Sequence, residues 1–205
     1  MVHIVIPFRP SNPKSRLADY LSEGERQRLA VCMLKDVLSA VRDYPTSVLA
    51  SELPADLRDE IEPFADLIVD PRPLDEAVNA VLQPETAVIM SDLPLINRKI
   101  VKGFVETEGD VVIAPGRKGG TNMLLVRIPF RVSYHYGSFL KHVKMAKKAG
   151  AKVSVYDSFF ASVDIDTYDD LLEVMLHGRG ETKRFLSELG FRIVMEKEPR
   201  LIREV

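Results

Sequence analysis

The stretch Val2–Val41, "VHIVIPFRPSNPKSRLADYLSEGERQRLAVCMLKDVLSAV", decides the fold class. Its opening, "VHIVIPF", is rich in β-branched and apolar side chains, and Pro7 ends the run, so it reads as a short buried strand. From Ser22 the period changes. Ser22 and Glu25 form a capping-box pattern, and Leu29, Met33, Val37 and Val41 recur at helical spacing. The unit is therefore strand, long polar loop to about Leu21, helix. Its loop is basic for a first turn: Arg9, Lys14 and Arg16 are separated only by Pro, Ser and Asn.

The alternation continues along the chain. "TSVLAS" (46–51) and "ADLIVD" (65–70) read as strands, with "PADLRDEIEPF" (54–64) as a helix between them. "PLDEAVNAVL" (73–82) is an amphipathic helix before the strand "TAVIMS" (86–91). Residues 97–107 read as a helix, "DVVIAP" (110–115) as a strand, "GRKGGTN" (116–122) as a loop, and "MLLVRI" (123–128) as a strand able to pair antiparallel. "GSFLKHVKMAKKAGA" (137–151) carries a helical pattern that Gly150 stops. "KVSVYD" (152–157) and "ASVDID" (161–166) read as strands, residues 167–176 and 181–189 as helices, and "FRIVMEK" (191–197) as a last strand before a charged, solvated tail. Strands alternating with helices imply an α/β domain with a mostly parallel sheet and an irregular insertion around residues 115–136.

Composition narrows the function. The 205 residues suit one domain, 1–205, with 46% hydrophobic and 28% charged residues and no low-complexity tract. A net charge of −2 lacks the basic excess of a general nucleic-acid binder, so attraction for anions has to be local. The single cysteine, Cys32, forms no internal disulfide and falls in an apolar helical pattern. No apolar run approaches the ~20 residues of a membrane span, and no signal-type segment opens the chain. A cytoplasmic protein with no membrane or nucleic-acid partner is expected.

In open α/β sheets ligands bind beyond the carboxyl ends of the strands. Four loops at expected strand ends carry the chemistry: "RPSNPKSR", "SDLP", "GRKGGTN" and "DID". Asp92, Asp164 and Asp166 are hard oxygen donors that suit Mg²⁺ shared with substrate phosphates. Asp164 and Asp166 are two apart, so in a strand they share a face. Asp92 and Asp166 also stand where helix caps go, before Leu95 and Thr167. The glycines of "GRKGGTN" leave backbone N–H groups open to a phosphate or carboxylate, with Arg117, Lys118, Thr121 and Asn122 adding donors. Lys14 acts as a point charge on phosphates and Arg16 as a two-pronged donor. Ser138 reads first as a helix cap, and His142 as a surface or supporting residue. Walker-type and G-x-G-x-x-G loops, zinc-ligand spacing and a G-x-S-x-G nucleophile are absent.

Together "PFRPSNPKSRLA", "MSDLPL", "APGRKGGTNMLL", "GSFLKHVKMA" and "VDIDTYDDL" resemble the 2-phospho-L-lactate guanylyltransferase family of deazaflavin coenzyme F-420 biosynthesis, in order over about residues 4–172. The resemblance implies a single-domain, Rossmann-like nucleotide-diphospho-sugar transferase type fold with helices on both faces of the central sheet. It implies transfer of GMP from GTP to (2S)-2-phospholactate with release of pyrophosphate; phosphoenolpyruvate and 3-phosphoglycerate are alternative acceptors. It puts Pro7, Arg9, Lys14, Ser15, Arg16 and Ser91 at the nucleotide. Asp92, Asp166, Lys14 and Arg16 are implied as the catalytic set, and Asp92, Asp164 and Asp166 as the Mg²⁺ ligands. Gly119, Gly120, Thr121, Asn122 and Ser138 are implied at the phosphorylated acid, and a homodimer is allowed. Gly116 and Asp75 depart from the family pattern. A molybdopterin or sugar-phosphate nucleotidyltransferase would open on a Gly-Gly loop that this chain lacks. A regulatory module that binds GTP without turnover would not need the set of acids.

Overall fold

The computed structural model describes residues 1–11 and 13–204. Strand β1 (His3–Phe8) is buried on both sides, as its unbroken apolar run requires. It lies between β2 (Thr46–Ala50) and β4 (Thr86–Ile89), parallel to both, and β3 (Asp66–Val69) extends the sheet beyond β2 in the same direction. The full order is β3-β2-β1-β4-β6-β5-β7. Strand β5 (Val111–Pro115) pairs in parallel with β7 (Val153–Val155), while β6 (Thr121–Val126) is wedged between β4 and β5 and antiparallel to each. The reason is local: the connection 116–120 is too short for the dozen or more residues of a parallel crossover.

Helices cover both faces, as expected. On one face β1 sends Ile4 and Ile6 against Leu29, Met33 and Val37 of α1 (Glu23–Val41). The same core takes Leu57 and Ile61 of α2 (Ala55–Ile61) and Val101 and Phe104 of α4 (Arg98–Glu106). On the other face Val5, Val88, Ile113 and Leu124 meet Val78 of α3 (Leu74–Val81) and Ala146 of α5 (Ser138–Lys148). Neighbouring β1 residues serve opposite cores because side chains alternate across a strand. Helix α1 starts with the capping box read from Ser22 and Glu25. Cys32 is buried, and burial pushes its thiol up to about 11, an inert packing residue.

Three expectations need correction. "ASVDID" is not a strand. Ser158 caps a short helix, α6 (Phe159–Ser162), and residues 163–166 form no ladder. Val163 and Ile165 are buried as a strand pattern demands, but Ile165 N–H donates to the Asp92 carbonyl at 3.1 Å instead of to a neighbouring strand. Second, the C-terminal segment is no loose tail: after α7 (Tyr168–His177) and α8 (Glu181–Glu188), β8 (Phe191–Met195) pairs with β9 (Pro199–Arg203) in a separate antiparallel hairpin. Arg203 fastens it by donating to the Tyr20 carbonyl and pairing with Glu25. Third, Asp92, Asp166 and Ser138 cap no helix. Asn97 caps α4, Thr167 stands at the start of α7, and Gly137 precedes α5 with a left-handed φ of 67°.

Candidate active site

Because β1, β2, β3, β4, β5 and β7 point the same way, their carboxyl ends share one edge, and the β5–β6 turn returns to it. A cleft of about 730 Å³ opens there, with Pro7, Arg9, Lys14, Ser91 and Asp92 in its walls. Lys14 enters from the basic loop with left-handed backbone angles (φ 55°, ψ 45°), uncommon for a residue with a Cβ. The buried Arg26 holds that loop by donating to the carbonyls of Pro13 (3.3 Å) and Leu21 (2.8 Å).

The Lys14 ammonium donates to Asp92 Oδ2 at 2.7 Å and to Asp166 Oδ1 at 2.9 Å. These residues are 78 and 152 positions from Lys14 in the chain, so the three meet only through the fold. The Lys14 side chain is only 11% exposed. Burial works against its charge, but the charges and hydrogen bonds of Asp92 and Asp166 prevail and hold its pKa above the ordinary lysine value. Arg16 stays exposed, with Nη1 at 3.5 Å from Asp166 Oδ2, and Ser15 lies in the adjoining 3₁₀ turn Ser15–Leu17. Two carboxylates already converging on one cation fit a Mg²⁺ site, whose usual donors are one or two carboxylates plus substrate phosphates.

Asp164 does not join Lys14. Burial and the neighbouring Asp92 charge raise its pKa, against the Asn122 amide that donates to Oδ1 at 3.3 Å. Asn122 also donates to the Ala161 carbonyl at 3.0 Å, so it braces the acid segment against β6. Gly116 makes this possible: a Cβ there would sit 2.4 Å from Asn122 Oδ1. The glycine loop is less open than its composition implies. The N–H groups of Gly116, Arg117 and Gly119 donate to Gly120, Ser162 and Gly116 carbonyls, and the Gly119 carbonyl accepts from Phe139.

Thr121 and Ser138 are buried beside this loop, Ser138 Oγ donating to Thr121 Oγ1 at 3.2 Å. His142, read from the sequence as a surface or supporting residue, is fully buried behind them. Its Nε2 accepts Ser133 N–H at 3.0 Å, so the neutral ring carries its proton on Nδ1 and donates to Thr121 Oγ1 at 2.9 Å. Burial pushes the imidazole down to about 4, keeping it neutral. With Oγ1 accepting from both neighbours, the Thr121 hydroxyl proton is left to be donated elsewhere.

Sequence reasoning passes over Asp170. Its Oδ2 accepts Asp166 N–H at 2.9 Å, Thr167 N–H at 2.7 Å and Thr167 Oγ1 at 2.9 Å, and Oδ1 pairs with Arg117. Burial opposes ionisation, but these hydrogen bonds and the Arg117 charge lower its pKa. Arg117, read from the sequence as an anion-binding residue, is thus engaged in fixing the acid segment. The signal is present as Thr167-x-x-Asp170, a capping-box spacing.

Known proteins share this architecture. A protein described as a nucleotide-diphospho-sugar transferase from Desulfovibrio desulfuricans superposes with a TM-score of 0.73 at 16% identity, over 92% of this chain and 95% of its own. A nucleotidyl transferase from Methanothermobacter superposes with a TM-score of 0.58 at 14% identity, over 92% and 99%. At these identities the likeness speaks for the fold. Sequence relatives lie nearer. The 2-phospho-L-lactate guanylyltransferases of Archaeoglobus profundus and Archaeoglobus fulgidus are 52% and 51% identical, over 98% and 100% of this chain and 96% and 98% of theirs. That of Ferroglobus placidus is 52% identical over 98% of both. The sequence pattern described as "Guanylyl transferase CofC like" matches residues 2–205, and the chain belongs to that family.

Proposed function

We propose that this chain is a 2-phospho-L-lactate guanylyltransferase, converting GTP and (2S)-2-phospholactate to lactyl-2-diphospho-5'-guanosine and pyrophosphate in deazaflavin coenzyme F-420 biosynthesis. The observation that carries the reading is the junction of Lys14 with Asp92 and Asp166 at the mouth of a cleft large enough for a nucleotide. Relatives about half identical over their full length bear the name of that activity.

In the reaction an oxygen of the phospholactate phosphate forms a bond to the α-phosphorus of GTP. The bond from that phosphorus to the bridging oxygen breaks, and pyrophosphate leaves with the electron pair. The attacking oxygen is already ionised near neutral pH, so no strong base is required, in keeping with a neutral, buried His142. Catalysis rests on positioning and charge. Lys14 and the exposed Arg16 meet the triphosphate, with Arg9, Ser15, Pro7 and Ser91 beside the nucleotide. Gly119, Gly120, Thr121 and Ser138 face the phospho-acid, Thr121 through its spare hydroxyl proton, while Asn122 fixes the acid segment. Asp92 and Asp166 would hold Mg²⁺, with Asp164 supporting them; the ion supplies charge neutralisation on phosphate oxygens.

The test is pyrophosphate release from four nucleoside triphosphates against phospholactate, phosphoenolpyruvate and 3-phosphoglycerate. GTP with phospholactate should be the best pair, and Asp92→Ala and Asp166→Ala should each abolish it. Near-normal rates in both variants would sink the reading.

A further inference from the structure

Three carboxylates in the described residues line the cleft: Asp70, Asp75 and Asp92. Two are spoken for. Asp92 receives the Lys14 ammonium, and Asp70 takes Arg72, whose Nε lies 2.9 and 3.1 Å from its two oxygens and whose backbone N–H donates at 3.0 Å. Asp75 differs. Its Oδ1 accepts Tyr134 N–H at 2.8 Å, which anchors the group, while among the described residues Oδ2 has only the exposed His135 ring at 3.5 Å. A carboxylate offers about four lone-pair sites, so Asp75 retains acceptor capacity in both oxygens. Pro7, Leu49, Pro73 and Ala77 supply apolar wall in the same cleft, suited to a flat ring.

We propose that Asp75 reads the base of the nucleotide, accepting N1–H and N2–H of guanine on its two oxygens; the proposal rests on the cleft being the nucleotide site. Guanine is the common base whose Watson–Crick edge presents two adjacent N–H donors, the fork a carboxylate receives best. Adenine and cytosine put a ring-nitrogen lone pair there, and uracil flanks its single N–H with two carbonyls. Facing a fixed carboxylate, those lone pairs repel. One side chain thus attracts the right base and rejects the wrong ones. The anchor from Tyr134 matters because a site built to hydrogen-bond a group discriminates only when its acceptor cannot turn away.

The experiment compares GTP with ITP, which keeps N1–H and lacks the N2 amine, in the wild type and in Asp75→Leu, which has the same bulk and no acceptor. Both kcat/KM for pyrophosphate release and calorimetric affinity are measured. A hydrogen bond to a charged group predicts a wild-type preference for GTP of roughly 10- to 100-fold. In Asp75→Leu that ratio should fall toward one, and ATP should gain relative to GTP. The ratio is taken within one preparation, so a smaller folded fraction in the variant cancels. A ratio that survives in Asp75→Leu, or a wild type that treats GTP and ITP alike, overturns the assignment. If the wild type releases no pyrophosphate from GTP and phospholactate, the acceptor reading fails, and the calorimetric GTP/ITP ratio in the two proteins still decides for or against Asp75.

Discussion

Replacing Asp170 with Ala removes one acceptor from four donors: Asp166 N–H, Thr167 N–H, Thr167 Oγ1 and the Arg117 guanidinium. Loss of the cap at the start of α7 costs about 1 kcal/mol. The buried charged hydrogen bond to Asp166 N–H adds about 1.5–3 kcal/mol. Arg117 is 40% exposed, so its pair is screened and adds about 0–1 kcal/mol. The sum is about 2.5–5 kcal/mol, or a fall in Tm of about 5–20 °C for a chain of this size. Asp166 then loses its backbone anchor next to Lys14, and misplacement of about 1 Å at a catalytic group costs on the order of 100-fold. Asp170→Asn keeps one oxygen for the three local donors but gives up the Arg117 pair and the charge on those bonds, so it should cost about 1–2 kcal/mol, less than Asp170→Ala, and little activity. Thermal unfolding and kcat/KM on both variants check this. The reasoning is wrong if Asp170→Asn is as damaging as Asp170→Ala, or if Asp170→Ala lowers Tm and leaves kcat/KM untouched. The pH sign is also set: with its folded pKa depressed, Asp170 contributes in full above about pH 4, the unfolded carboxylate value, and the contribution fades as pH falls through the folded pKa.

Gly116→Ala should lower the urea midpoint and also cut turnover, because the added Cβ meets the buried Asn122 amide 2.4 Å away and displaces its hydrogen bonds to Ala161 and Asp164. Gly180→Ala should lower the urea midpoint too: its Cβ would lie 2.0 Å from Asp36 Oδ1, displacing the carboxylate that accepts Glu181 N–H, Thr182 N–H and the Thr182 hydroxyl at the start of α8, at about 2 kcal/mol. Buried His142, with its imidazole pushed down to about 4, should make the protein lose stability as pH drops from about 6.5 to about 4, since only the unfolded chain binds the proton there. The size is about 3 kcal/mol, and His142→Gln should flatten that part of the profile; an equal slope in the variant would assign it to other groups.

Local interactions make most of the elements legible in the amino-acid order alone. Ser22 reaches Glu25 across three residues, and Leu29 to Val41 lie on one stripe, so α1 follows from its own stretch. The four loaded loops stand out because strand ends show as breaks in apolar runs. "ASVDID" misleads because its alternation is real, with Val163 and Ile165 buried, while a ladder partner is a tertiary matter. The hairpin of β8 and β9 is only half legible, since "PRLIR" is too charged to read as a strand apart from its partner.

The sequence by itself therefore determined the α/β alternation and the strand ends where loaded loops gather, and it singled out Lys14, Arg16, Asp92 and Asp166 as candidates there. Only the tertiary structure decided what each stands against. It set Lys14 against Asp92 and Asp166, turned Arg117 from a free anion binder into the partner of Asp170, and buried His142 behind Thr121. The physical reason is range. Caps, turns and stripes form between residues three or four apart, whereas an ion pair spanning 152 positions exists only after the sheet has brought its strand ends together.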